Sequence, residues 1–333
     1  IDRGINFVGA GGNANPATAP GNGFSLDLFA SGIIFSERRG QADPNLLAIA
    51  GANLDGGDAA PSSGFEGGSG GTLNVGTDAR PITGDVDVDA PITAATGRNG
   101  NAVDCGGAGG SVNVVANGTV TASSSINVSD KTQRRESRRG GNVRITSRRT
   151  TGTAIRLTST AQIASLLAAG APGPGGEVIF RSGGGDVDVS GTVTADRGRI
   201  DVENTGANGR VALNGATLSA DVVRARAFGD NGTLVVNGGT ISADSMIKLY
   251  ADGSNGTVLF SGNVRLSGDS TKIITGNTVT ISPNVVVTIG GRQSAQVYTN
   301  NPNYTGFGGN GSSSGTFGGA GATTQSRAAA PGY

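Results

Sequence analysis

Residues Gly209 to Asn231, GRVALNGATLSADVVRARAFGDN, and Gly232 to Asn255, GTLVVNGGTISADSMIKLYADGSN, are 23 and 24 residues long and repeat one another almost throughout. Val211 and Leu213 align with Leu234 and Val236, and Leu218 with Ile241. After a one-residue insertion, Val223, Ala225 and Ala227 align with Ile247, Leu249 and Ala251. Polar residues sit between these apolar ones, Arg224 and Arg226 in the first copy and Lys248 and Tyr250 in the second, which is the period-two pattern of a half-buried strand. A unit this short cannot bury its apolar face alone; it becomes stable when copies stack and share one core. Weaker copies run in both directions: GGTLNV from Gly70, GGSVNVVANGTVTA from Gly109, GGNVRITS from Gly140, GGEVIF from Gly175 and GTVLFSGNVRLSGD from Gly256. The expected fold is all-β, a right-handed parallel β-helix (β-solenoid) of roughly nine or ten rungs. Asn208-Gly209, Asn231-Gly232 and Asn255-Gly256 recur at one corner, where a positive φ at Gly and an inter-rung asparagine ladder are expected. One stretch, Ala161 to Ala169 (AQIASLLAA), reads as a short helix ended by Pro172-Gly173-Pro174-Gly175.

Composition narrows the class. Glycine supplies 60 of 333 residues, so the chain makes many tight turns, yet there is no Gly-X-Y period and hence no collagen helix. Formal charge is zero, which gives no general field for nucleic acid or a membrane surface, and no apolar run is long enough for a membrane helix. Cys105 is the only cysteine and histidine is absent, which excludes an internal disulfide, a CxxC metal site and a Cys–His nucleophile within one chain. The start at Ile1 is that expected of a mature, secreted product.

Three segments follow from the pattern. Residues 65–292 form the β-helix; residues 1–64 depart from the repeat and carry Phe7, Phe24, Phe29 and Phe35, as a cap over the first rung or a contact with a neighbouring molecule. Residues 293–333 are a Gly/Ser/aromatic low-complexity tail in which Tyr298, Tyr304, Phe307 and Phe317 are the candidate anchors. Charge is unevenly spread: Lys131 to Arg149 holds eight basic residues and one acid, including Arg134, Arg135, Arg138 and Arg139, whereas residues 51–105 hold eight acids and two arginines. Opposed blocks of this kind suit solvated loops, contact between copies of the chain, or a surface polysaccharide. No aromatic interrupts the basic run, which offers no stacking platform for single-stranded nucleic acid.

Two acidic rows alternate with valine, Asp85, Asp87 and Asp89 in one strand and Asp186 and Asp188 in another. Neighbouring carboxylates on a strand face lie about 6.5–7 Å apart, near the separation used in inverting glycoside hydrolysis, but ordinary outward faces look the same. Asp196, Asp221, Asp244 and Asp269 recur at one point of successive repeats, as turn-capping residues or, less simply, as calcium ligands.

The runs GGTISADSMIKLYADGSNGTVLF and NTVTISPNVVVTIGG, with the NNPNYTGFGGNG tail, resemble filamentous-haemagglutinin-type β-solenoid surface proteins of Gram-negative bacteria, mainly over residues 65–292. The resemblance implies a secreted, surface-associated fibre or adhesin, and it carries over no catalytic residue. The chain shows no C-terminal membrane barrel of the autotransporter kind, so direct membrane insertion is not expected of it. The expectation is therefore a non-enzymatic extracellular structural protein that associates with copies of itself, needs no cofactor and does not bind nucleic acid. The alternatives are an adhesin or carbohydrate-binding β-helix, and a polysaccharide lyase or hydrolase.

Overall fold

A computed structural model of the chain describes residues 5–8, 11–13, 18–35, 46–63, 65–98, 107–130, 140–167, 174–282, 285–290, 295–299, 316–318 and 323–325. All regular structure among them is β. The strands are β1 Ile5–Val8, β2 Ser25–Leu28, β3 Gly32–Phe35, β4 Leu46–Asn53, β5 Thr72–Val75, β6 Val86–Val88, β7 Ile92–Thr93, β8 Ser111–Ala116 and β9 Val120–Ala122. They continue as β10 Ser125–Asn127, β11 Asn142–Ser147, β12 Thr153–Leu157, β13 Gln162–Ser165, β14 Glu177–Ser182, β15 Asp186–Val189, β16 Thr192–Asn204, β17 Arg210–Asn214 and β18 Thr217–Ala227. The last are β19 Thr233–Ala251, β20 Thr257–Ser267, β21 Thr271–Gly276, β22 Thr278–Ile281, β23 Val286–Ile289, β24 Ala295–Thr299, β25 Thr316–Gly318 and β26 Thr323–Gln325. The chain divides into two compact units: Ile1–Ser147 with Thr160–Ile179 and Val193–Arg199, and Arg148–Ser159 with Phe180–Thr192 and Ile200–Tyr333.

In the first unit each strand pairs in parallel with the third one after it: β1 with β4, β2 with β5, β3 with β6, β4 with β7, β5 with β8, β6 with β9, β7 with β10, β8 with β11 and β10 with β13. A constant step of three returns the chain to the same line and direction after every third strand, the topology of a parallel β-solenoid. Registers put like residues in columns. Leu26, Leu73, Val112 and Val143 form one, and Leu28, Val75, Val114 and Ile145 the next. Leu26, in the first strand of its column, is only partly buried, whereas the other three are almost wholly buried.

The second unit repeats the arrangement. One column runs Ile155, Val187, Val211, Leu234, Val258 and Val279, each at most 1% exposed. Leu234 is thus the direct partner of Val211. The whole alignment of the two diagnostic repeats is reproduced in register, with the inserted residue absorbed by a shift between Ala220 and Val222. The asparagine ladder also forms: Asn255 Nδ2 donates to Asn231 Oδ1 at 3.0 Å, and Asn231 Nδ2 to Asn208 Oδ1 at 2.7 Å.

Four expectations need amendment. Gln162–Ser165 is a strand paired with β10, not the start of a helix, because Ile163 enters the buried column of Ile126 and Ile92. The helical composition of AQIASLLAA loses to that pairing. Positive φ occurs at Gly229 (90°) and Gly253 (100°), three residues before the Asn-Gly glycines. Gly232 and Gly256 are demanded by crowding instead, since a Cβ there would stand 2.5 Å from Ala227 O and 2.4 Å from Ala251 O. Residues 1–64 contain β1 to β4, which pair in parallel with each other and with later strands, so the stacking begins well before residue 65. It also passes residue 292, where β24 pairs with β21 and β26, and β25 with β23.

Truncating a column member opens a cavity between two neighbours that hydrogen-bonding holds in place. Leu234→Ala is expected to cost about 3 kcal/mol, read as a lower denaturant midpoint at unchanged slope in equilibrium unfolding.

Candidate functional site

Among the described residues the first strands leave open edges: β1 pairs only with β4, and β2 only with β5. Thr72 N donates to Phe24 O at 3.1 Å and Gly76 N to Leu28 O at 2.9 Å. Backbone groups alternate sides along a parallel strand, so those of Ser25 and Asp27 point to the opposite edge. Beside this edge Phe24 is 64% and Phe29 41% exposed, with the Arg80 guanidinium 4.5 Å from the Phe29 ring centre. Phe7 lies in β1 opposite Ala52, and Phe35 in β3 opposite Ile49 and Val88. Near the other terminus Tyr298 is placed opposite Thr275 and Gln325, and Phe317 opposite Val287. Tyr304, Phe307, Arg134, Arg135, Arg138, Arg139 and Cys105 lie outside the described residues.

Both acidic rows are tied to neighbouring strands. Asp85 Oδ1 accepts from Thr119 N at 2.7 Å and Asp89 Oδ1 from the Ser123 hydroxyl at 2.5 Å. Between them Asp87 is half-buried; burial pushes its carboxyl above the ordinary range, the Thr121 hydroxyl counteracts this, and Asp89 and Asp85 add to the rise. In the second unit Asp188 and Asp186 share one partner, Arg210, at 3.1 and 3.7 Å. Of the recurring aspartates, Asp221 in β18 accepts from the Ser245 hydroxyl in β19, a bond between adjoining coils. Among the described residues no group of three or more acidic, histidine or cysteine side chains is placed to hold a metal ion.

The most elaborate constellation was not singled out from the sequence. Glu203 and Asp201 alternate with buried Ile200 and Val202 in β16, and their side chains are each 4% exposed. Arg181, on β14, donates to Glu203 Oε2 through Nε at 3.0 Å and Nη2 at 2.8 Å. Arg226, on β18, pairs with the same carboxylate through Nη2, lies 3.5 Å from Asp201, and donates through Nη1 to the Tyr250 hydroxyl at 3.2 Å. Burial works against the Arg226 charge, but the Tyr250 hydroxyl, Glu203 and Asp201 together hold its pKa above the ordinary value. Phe228 and Tyr250 meet edge to face at 5.7 Å beside it. The ladder Arg181, Glu203, Arg226, Tyr250 advances by 22, 23 and 24 residues, the lengths of the coils themselves. Carrying the repeat one coil back from Arg226 would have found Glu203.

A second unannounced feature is Lys272. It stands in an inward column between Ile247 and Ala295, is 0% exposed, and turns its ammonium to Gly268 O and Ser270 O, both at 3.0 Å. Burial pulls its pKa down, with Asp269 opposing.

Comparison of the chain with protein-family models, curated proteins and solved structures returns no match. The resemblance to haemagglutinin-type solenoids therefore rests on repeat style alone.

Two measurements follow from these charges. Arg226→Ala leaves the buried Glu203 carboxylate with Arg181 alone and is expected to cost about 3 kcal/mol, part of it recovered by adding Glu203→Gln, in equilibrium unfolding. Asp87 holds its proton more tightly folded than unfolded, so its ionised form costs stability at neutral pH, and the cost fades as pH falls through the folded pKa. Asp87→Asn is expected to raise stability at neutral pH and to flatten that acid-side gain.

Proposed function

We propose that this protein is a self-associating structural subunit of an extracellular fibre or surface layer, joined end to end by strand pairing. The single observation that carries the reading is the one-sided pairing of β2 beside a half-covered Leu26 and exposed Phe24 and Phe29. An open edge with an apolar column behind it is a template for another strand. The occupant that suits it is a second copy in the same orientation, bringing β25 or β26, each of which also pairs on one side only among the described residues. Such a contact joins unlike ends, so it does not close into a dimer and grows as a filament. The cell-surface setting is supported by the resemblance of the repeats to secreted solenoid proteins.

Electron microscopy and sedimentation of the purified full chain are expected to show filaments lengthening with protein concentration. Ser25→Pro removes a backbone donor from the outer edge alone and leaves the β5 ladder intact, so it is expected to suppress filaments without lowering the melting temperature. Monomers at every concentration, or filaments unaffected by Ser25→Pro, would count against the proposal.

A further inference from the structure

The corner that closes each coil before its next strand is five residues long at 148–152, 205–209, 228–232 and 252–256. At 117–119 and at Gly183–Gly185 it is three, and at Asn277 one. The Gly183–Gly185 corner lies between two long ones: Gly185 N donates to Arg149 O and Asp186 N to Gly152 O on one side, while Gly206 packs on Gly184 on the other. A corner two residues shorter than its neighbours, with a glycine at 183 where a side chain would have had room, leaves a notch open to solvent with a volume of about 490 Å³. Its floor is Gly183 and Gly184, and Thr150, Thr151, Asp186 and Asn208 surround it.

Asn208 gives the notch its chemistry. In the asparagine ladder every Nδ2 donates towards the preceding coil, from Asn255 to Asn231 and from Asn231 to Asn208. Asn208 accepts from Asn231 through its Oδ1, which leaves its Nδ2 as the donor of an exposed amide on the lining of the notch. In the preceding coil the ladder's next place falls to the short glycine corner, which has no amide to offer. Asp186 supplies an acceptor on the same notch, 3.7 Å from the Arg210 guanidinium that it shares with Asp188. Thr150 and Thr151, both exposed, bring hydroxyls that donate or accept.

We infer that the notch is a binding site for a sugar residue bearing an acetamido group, an N-acetylhexosamine of a surface glycan. The acetamido group is the amide that the ladder lacks. Its carbonyl accepts from Asn208 Nδ2 as Asn208 accepts from Asn231, its N–H meets the Asp186 carboxylate, and the ring hydroxyls meet Thr150 and Thr151. No aromatic ring lines the notch, so one sugar binds weakly, with a Kd on the order of 1 mM. Asp186 and Asp188 share the single Arg210, so this side of the notch keeps a net negative charge and disfavours an acidic ligand.

The test is saturation-transfer difference NMR on the full chain, with N-acetylglucosamine, glucose and acetamide as separate probes. Saturation is expected on the N-acetyl methyl of the sugar, with a response about tenfold weaker from glucose, the yield of one hydrogen-bonded amide. Gly183→Asn should abolish the signal while keeping the melting temperature, because a Cβ there meets nothing closer than 3.6 Å and its amide fills the notch. Asn208→Asp still accepts from Asn231 but no longer donates, and is expected to erase the preference for N-acetylglucosamine over glucose. Equal responses from the two sugars, acetamide binding as well as the sugar, or a Gly183→Asn chain that binds as before would each overturn the inference.

Discussion

Parallel strands stacked in register about 4.8 Å apart oblige every residue to lie directly against its equivalents in the adjoining coils, and the rest of the structure answers to that obligation. Inward positions satisfy it with residues of similar bulk, as in the column from Ile155 to Val279. Outward positions satisfy it with groups that complement their own kind. A carboxamide does so because it donates on one side and accepts on the other, hence the run Asn208, Asn231, Asn255 in the second unit. The first unit does the same with Asp27, Asn74 and Asn113. A charge cannot repeat in this way, so Arg181, Glu203 and Arg226 alternate in sign. Where the alternation fails, the cost is visible: Lys248 is in register with Arg224, and burial together with Arg224 and Arg226 pulls its pKa down. Lys272 breaks the rule most sharply, and the corner carbonyls of Gly268 and Ser270 compensate it.

The same obligation explains what could be read without coordinates. Between Gly209 and Asn255 two coils of nearly equal length follow one another, so the alignment of residues is the alignment of space. The amino-terminal third hides its coils because excursions of unequal length interrupt them, although FSLDL, TLNV, SVNV and NVRI prove to be one column set. AQIASLLAA misleads because its composition suits a helix, while pairing with Ser125–Asn127 decides its conformation; local preference is the weaker force there. The corner notch was illegible for a different reason. A loop shortened by two residues is informative only when its neighbours above and below are known to be longer.

Glycine in the first unit shows how those excursions are tolerated. Gly21 N donates to Gly12 O, Gly57 N to Gly21 O, Gly68 N to Gly57 O and Gly97 N to Gly68 O, at 2.8 to 3.0 Å. Gly12, Gly57 and Gly97 lie on segments leaving a coil, and Gly21 and Gly68 on segments returning to it, so outgoing and incoming backbone alternate along one line. A Cβ at Gly57, Gly68 or Gly97 would come within 1.9 to 2.1 Å of a carbonyl oxygen in that line. The neck of each excursion is thus closed by backbone bonds, with side-chain bonds such as Asp58 N to Asn13 Oδ1 and Arg98 N to Asp58 Oδ1 beside them.

That closure suggests how such a fold divides its work. Column positions are constrained on both sides, so a change there is felt by two neighbours and selection acts on fit. Corners and excursions are constrained only where they join the coil, and can vary in length while the registers beneath them stand. Strand edges are a third case, because β2 and β25 carry the same column pattern with, among the described residues, a partner on one side only. A surface that is built as an interior but lacks its last partner has its affinity already specified, in direction and in register, by the coils behind it. For this chain the end strands and the short glycine corner are both places where the pattern of the described residues is interrupted, and the proposed strand partner and the proposed amide ligand are each what would continue it.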